Sequence, residues 1–218
     1  EVGENLQDHL QLRCAYRVSG IATLNERAST WRGKASIALQ YALSRSGPMA
    51  MAPSQLGVFT RSDPSFETAN LQYHVQPLSL DRFGEGVHAF PAFTASVCNL
   101  RPDSRGTVHT ASPDHRAPPR IHPNYLSAGN DRRVAADAIR LTRRIVAQAP
   151  LRPYQPEEFK PGPGFNSEEE LVEAAGAIGT TIFHPAGTCR MGSDPASVVD
   201  PQLRLRGVAR LRVADASV

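Results

Sequence analysis

Between Thr181 and Gly192 the sequence reads TIFHPAGTCRMG, a short β-branched and aromatic run ending in a histidine, with proline, two glycines, a cysteine and a methionine close behind. An imidazole titrates near neutral pH, so His184 can act as a general base, as a metal ligand, or as an ordinary histidine closing a strand. The chain has seven histidines, yet none forms H-x-H or H-E-x-x-H, and no cysteine–histidine set has zinc spacing. His109, His115 and His122 fall in a proline-rich crossing and read as loose surface positions. A G-x-S-x-G elbow is missing too, which removes the usual sign of a serine hydrolase. The base and the structural histidine remain. Pro185 stiffens the backbone directly after the ring, Gly187 lets another backbone or a planar ligand come close, and Phe183 offers an apolar wall. Cys189 reads as a small buried residue rather than a nucleophile.

These residues belong to a chain of 218 residues with 40% hydrophobic content, enough for a sizeable core in one large domain or two small ones. Net charge is only +3, Lys34 and Lys160 are the only lysines, and the arginines are spread among acids. That pattern excludes a nucleic-acid surface as the leading reading. No apolar run of about 18 residues is present and no basic-then-apolar leader opens the sequence, so no membrane span is expected and a cytoplasmic location is the default. The three cysteines, Cys14, Cys98 and Cys189, are widely spaced and read as free thiols. The sequence begins at Glu1 without a methionine and stops just after an apparent strand, so a piece of a longer protein is expected.

The elements that must position the histidine follow from periodicity and turn residues. Apolar positions Trp31, Ala35, Ala38, Tyr41 and Ala42 predict a helix over 29–45, capped by Ser29 or Thr30 and stopped at Gly47-Pro48, with a loop on to Pro53. LGVF, LQYHVQPL and FTASVCNL, between Leu56 and Leu100, read as strands separated by turn residues. Thr107 to Thr110 is expected to continue that sheet, and the following proline-rich run to cross irregularly. Asn130-Asp131 opens the clearest helix, with Val134, Ala138, Leu141, Ile145 and Ala149 on one stripe and a solvated arginine face. Leu151 to Asn166 reads as a Pro/Gly-rich connector. Ser167 and Glu170 form a capping box for a further helix, and the chain then extends through Thr180 to Phe183 into His184. Leu211 to Val213 is expected to be a strand running into a tight turn. Without regular βαβ alternation, the fold class is α+β with a largely antiparallel sheet backed by helices.

VGENLQDHL at Val2 to Leu10, LRPDSRGTV at Leu100 to Val108, PNYLSAGND at Pro123 to Asp131, FHPAGTCRMG at Phe183 to Gly192, and VVDPQLRLRGVARLRVADASV at Val198 to Val218 occur together and in order. With this set the chain resembles the C-terminal half of the glucose-methanol-choline (GMC) flavin oxidoreductases, most closely their choline dehydrogenase and aryl-alcohol oxidase branches. The resemblance implies an FAD enzyme that oxidises an alcohol to a carbonyl compound. It implies a substrate domain whose antiparallel sheet forms one wall of the active-site cavity. It also implies segments that belong to a dinucleotide-fold FAD domain absent from this chain, whose G-x-G-x-x-G would take the pyrophosphate. The expected partners are a small-molecule alcohol and that missing N-terminal FAD domain, and the chain alone is expected to be inactive.

By the same resemblance His184 is the catalytic base, taking the hydroxyl proton while hydride leaves for flavin N5. The family's second histidine or asparagine is expected beyond Val218. Phe183 and His74 are expected at the substrate, and Asp215, Ala216 and Asn5 at the cofactor, with a helix-capping aspartate, an Asx-type turn at Asn5 and a core histidine at position 74 as the alternatives. The expected organisation is a boundary segment over 1–28, a substrate domain over 29–166, and a returning segment with the catalytic histidine over 167–218. Surfaces that would face the missing domain are expected to be apolar and open to self-association. A different class of reading is a non-catalytic α+β binding or assembly module derived from the substrate domain.

Overall fold

A computed structural model describes residues 1–52, 54–81 and 84–218. In chain order the elements are β1 (Leu10–Arg17), α1 (Leu24–Ser29), α2 (Trp31–Ser44), β2 (Leu56–Thr60), β3 (Leu71–Gln76), β4 (Ala92–Asn99), β5 (Thr107–His109), β6 (Arg120–His122), α3 (Gly129–Val146), β7 (Glu157–Lys160), α4 (Glu168–Ile178) and β8 (Gly179–Thr181). They divide into two compact units. A sheet unit comprises 11–99 and 134–180, and a loop unit comprises 1–10, 100–133 and 181–218.

The sheet unit is built on an antiparallel sheet in the order β2-β3-β4-β1-β7, with β8 also paired to β1. The α+β class and the antiparallel sheet expected from the sequence are therefore present. Cross-strand register sorts the side chains, because alternate residues of a strand point to opposite faces. Leu12, Cys14 and Tyr16 share one face with Leu71 and Tyr73 and with Ala95 and Val97, and nearly all of this face is buried. Helix α3 lies on it: the Tyr73 hydroxyl shares a 2.9 Å hydrogen bond with Thr142, whose hydroxyl donates back to the Ala138 carbonyl at 2.8 Å. Burial pushes the Cys14 thiol up to about 12, so it is inert at neutral pH.

Several expectations shift. Strand β1, central in the sheet, lies within the segment 1–28, where Gln11 and Arg13 had disguised its alternation. On α3 the predicted Val134 and Ala138 are buried, together with Ala135, Ile139, Thr142 and Val146, while Ile145 is exposed. Apolarity alone rotated the predicted stripe, because Thr142 enters the core by bonding its own helix. Nor is the arginine face merely solvated. Arg143 donates to both carboxylate oxygens of Glu158 at 2.8 and 2.9 Å and to the carbonyls of Phe165 and Gly162. That fork organises the expected connector, which contains β7 and a short 3-10 turn. The Ser167–Glu170 capping box starts α4, where Ser167 accepts from the Glu170 amide at 3.2 Å and Glu170 accepts from the Ser167 amide at 2.9 Å.

Helix α2 begins as expected, with the Thr30 hydroxyl accepting from the Gly33 amide at 3.1 Å, but of its residues only Ile37 is buried. The predicted apolar stripe is solvent-facing, headed by Trp31 at 75% exposure. The loop expected after it contains a 3-10 turn over Pro48–Ala50, and Pro53 lies outside the described residues. Strand β2 is a sheet edge whose Leu56 and Phe59 are exposed as well.

The loop unit has little regular structure. Strands β5 and β6 pair with each other in a separate sheet, so 107–110 does not continue the large one, and the proline-rich crossing contains β6. Single bridges do the remaining work: Leu6 with Gly106, Gln7 with Ala186, Met191 with Val199 and Arg204 with Arg212. The last of these is all that exists of the strand expected at Leu211 to Val213. Gly106 is required where it stands, since a Cβ there would meet the His122 carbonyl oxygen at 2.1 Å. Among the described residues no helix is long and apolar enough to cross a membrane.

Candidate active site

The segment TIFH ends in a turn of its own making. The Thr181 hydroxyl accepts from the Phe183 amide at 2.9 Å, and Phe183 takes a left-handed backbone with φ of 64°. A bulky residue in that region is strained and persists only when its surroundings hold it there. The holding group is Asp8, a carboxylate 9% exposed. One of its oxygens accepts from the His184 backbone amide at 3.1 Å. The other accepts from the Thr181 hydroxyl at 2.5 Å and from the Tyr125 hydroxyl. Three stretches distant in sequence thus converge on one buried charge, and hydrogen bonds to a charged acceptor are the strong kind. Burial, and after it the hydrogen bond to Asp8, raises the Tyr125 phenol well above its ordinary value, so it stays a donor.

With its backbone fixed by Asp8, His184 leaves its imidazole at the surface of the unit. The ring of His9 stands edge-on to it, with centroids 5.7 Å apart and planes at 79°. His9 is held below the usual imidazole range, first by burial and then by the neighbouring His184 ring, against opposing pulls from Asp8 and the Leu100 backbone.

Asn5 has a left-handed backbone with φ of 63°, and its amide is engaged at both ends. Its nitrogen donates to the Gly187 carbonyl at 3.1 Å and its oxygen accepts from Arg105 at 3.2 Å. Gly187 admits another backbone, as its sequence context allowed: a Cβ there would sit 2.7 Å from the Asn5 carbonyl oxygen. Asp215 closes a tight turn by accepting from the Ser217 amide at 2.8 Å and the Ser217 hydroxyl at 2.5 Å, and these bonds lower its pKa. Ser217 and Val218 in turn accept from the Cys189 and Met191 amides at 2.7 and 3.0 Å, and Ala216 is exposed at the turn.

His184, Phe183, Asn5, Asp215 and Ala216 therefore all fall in the loop unit, whereas His74 lies in the sheet unit, on β3 opposite Ser96. Sequence reading passed over Asp8, His9, Tyr125 and Thr181. Asp8 and His9 stand side by side in VGENLQDHL, and that adjacency was the available signal. Among the described residues no group of three or more His, Cys, Asp or Glu is placed to hold a metal ion.

Comparison with known proteins agrees with this architecture. Residues 102–218 match the family model described as GMC oxidoreductase. An oxygen-dependent choline dehydrogenase of Citrobacter koseri is 38% identical over 217 residues, covering 100% of this chain and 39% of that protein. The protein of that name from Yersinia pestis is 37% identical and is covered over 38% of its length. This chain thus spans about two fifths of the curated relatives it matches. Among solved structures, pyridoxine 4-oxidase from Mesorbium loti superposes with a TM-score of 0.79 at 27% identity, covering 100% of this chain and 38% of that one. A fungal aryl-alcohol oxidase, 20% identical and covered over 44% of its length against 100% of this chain, shares the fold with a TM-score of 0.78. The chain belongs to the GMC oxidoreductase family.

Proposed function

We propose that this chain is the substrate-domain portion of an FAD-dependent alcohol oxidoreductase and that His184 is its base. The observation that carries the reading is the Asp8 anchor, which fixes the backbone of His184 through a buried charge while leaving the imidazole open. An alcohol hydroxyl is too weak an acid to ionise unaided at neutral pH, and an imidazole has the right affinity to take its proton as the carbonyl forms. When bound, FAD supplies the acceptor for the hydride that leaves the alcohol carbon. Phe183, 66% exposed and held in its strained turn, offers the apolar wall for the substrate. His74 is the corresponding candidate from the sheet unit.

The residues present fit one edge of a flavin rather than the whole cofactor. The Asp215–Val218 turn has its carboxylate engaged by Ser217 and exposes the methyl of Ala216 beside it, a small side chain that suits close approach by a flat ring system. Asn5 acts by holding the 187 loop in place. The sequence given has no G-x-G-x-x-G, so the pyrophosphate cradle belongs to the N-terminal domain of the relatives. The exposed apolar side chains of α2 and β2 fit contact with such a domain or self-association.

The test is flavin reduction by a benzyl alcohol in the complete protein, followed by stopped flow. His184→Ala is expected to slow it by about two to four orders of magnitude, the usual worth of a positioned base. A near-normal rate removes His184 from the mechanism.

A further inference from the structure

On the face of the large sheet where α3 lies, the covering is uneven. Register places Leu56, Val75 and Ala95 in one row across β2, β3 and β4, with Val58 beside Tyr73 in the next row of the same face. Ala95 and Tyr73 are 6% and 3% exposed, whereas Leu56 and Val58, on the edge strand, are 57% and 37% exposed. The helical layer therefore stops short of β2. Ile145, a core position by periodicity, lines the gap at 41% exposure, together with Val146 of the same helix and Leu151 of the 3-10 turn.

Sheet, helix and turn enclose a cavity of about 340 Å³ whose lining residues all belong to the sheet unit. Among the described residues no charged side chain lines it, and the surface open within it is carbon throughout. The hydroxyls in its wall are already committed. Tyr73 and Thr142 bond to each other at 2.9 Å, and Thr142 donates to the Ala138 carbonyl at 2.8 Å. Burial pushes the Tyr73 phenol up to about 12, so it adds no charge at neutral pH. Val58, Val75, Ile145 and Val146 are β-branched and hold their rotamers, which makes the walls stiff.

Small-molecule sites are concave, mostly apolar and of about 300–1,000 Å³, and a dry cavity of about 150 Å³ accepts benzene. A space roughly twice that size suits two fused rings. A protein partner fits poorly, because a stable interface takes about 800 Å² from each side. Among the described residues the large apolar side chains exposed around this cavity are Leu56, Val58 and Ile145, and the exposed Phe59 points to the other face of β2.

We propose that this cavity binds an uncharged, non-polar small molecule of about two fused rings, on the face of the sheet opposite to that of His74. The site lies within one unit and stands apart from the role proposed for His184. Its walls have no hydrogen bond to offer, so affinity comes from apolar burial and each hydroxyl added to the ligand is a cost.

Naphthalene is the probe, titrated against the complete protein and followed by ligand-observed NMR, with no alcohol present. It is expected to bind, and naphthalene-1,5-diol to bind about tenfold more weakly or less. Val58→Asp places a carboxylate in the wall and Val58→Trp fills the space; each should weaken naphthalene by about tenfold or more, while Phe59→Asp, the same charge on the other face of the same strand, should leave it unchanged. Ile145→Asp, at an exposed helix position, gives the same loss and serves should the Val58 variants not fold. Absence of binding to the complete protein, as when preceding sequence or a second copy fills the cavity, overturns the inference. So does binding that these wall variants leave intact or that Phe59→Asp weakens equally, or a diol that binds as tightly as naphthalene. Flavin reduction is not a readout here, so loss of the His184 reading would leave this site standing, and the reverse holds as well.

Discussion

In the sheet unit Leu71, Val97, Ile139 and Leu171 are buried completely between strands and helices, whereas the loop unit that carries His184 has a two-stranded sheet, isolated bridges and a carboxylate at its centre. Burial of a large apolar side chain contributes about 1.5–3 kcal/mol and is indifferent to direction. A hydrogen bond to a buried carboxylate contributes a comparable amount but holds its donor at a defined angle. The sheet unit is thus held by burial, with little demand on direction. The loop unit uses few contacts, chosen for orientation. A base must be held to within a fraction of an ångström, and a charge with several directional donors does this where packing alone would not.

If that contrast is sound, changes in the two units should separate stability from catalysis. Ile139→Ala is expected to destabilise the protein by about 2–5 kcal/mol, seen as a fall in the thermal midpoint. Asp8→Asn can still accept from the His184 amide but cannot accept from both hydroxyls, and it should slow flavin reduction by about tenfold to a hundredfold, with a loss of stability of about 1–3 kcal/mol. The comparison breaks if Asp8→Asn leaves the rate intact, or if Ile139→Ala slows flavin reduction as much as Asp8→Asn does at a temperature where both remain folded.

A smaller effect sharpens the contrast further. The folded-state pKa of His9 lies below the ordinary value of 6.5, so on acidification the unfolded chain takes up the proton first. The stability associated with neutral His9 is therefore complete above that value and lost as pH falls through it toward the folded pKa. One proton sets a ceiling of about 1.4 kcal/mol per pH unit. Thermal unfolding at pH 7.5 and pH 5 should show a smaller decline for His9→Gln than for the parent; equal declines would detach His9 from the acid sensitivity of the loop unit.

The sheet unit was legible in the sequence because alternation and capping are local. LGVF, LQYHVQPL and FTASVCNL became β2, β3 and β4, and Ser167 with Glu170 capped α4 as their spacing required. Strand β1 escaped because Gln11 and Arg13 occupy inward positions that a hydrophobic pattern assigns to solvent. The buried line of α3 was misplaced for a related reason, since Thr142 satisfies its hydroxyl within the core. In the loop unit the order of motifs pointed to His184, but nothing in linear spacing connects Asp8 to Thr181 or Tyr125. A carboxylate that gathers groups so far apart becomes visible only once the chain has closed on it.

Trp31 is the only tryptophan in the chain, and it stands at the exposed start of α2 with the Arg32 guanidinium 5.5 Å from its ring. The chain's indole emission therefore comes from a hydrated ring remote from the buried core. Melting of the sheet would leave that light nearly unchanged, while a surface laid across α2 would shift it to the blue, making the protein's intrinsic fluorescence a reporter of coverage rather than of folding.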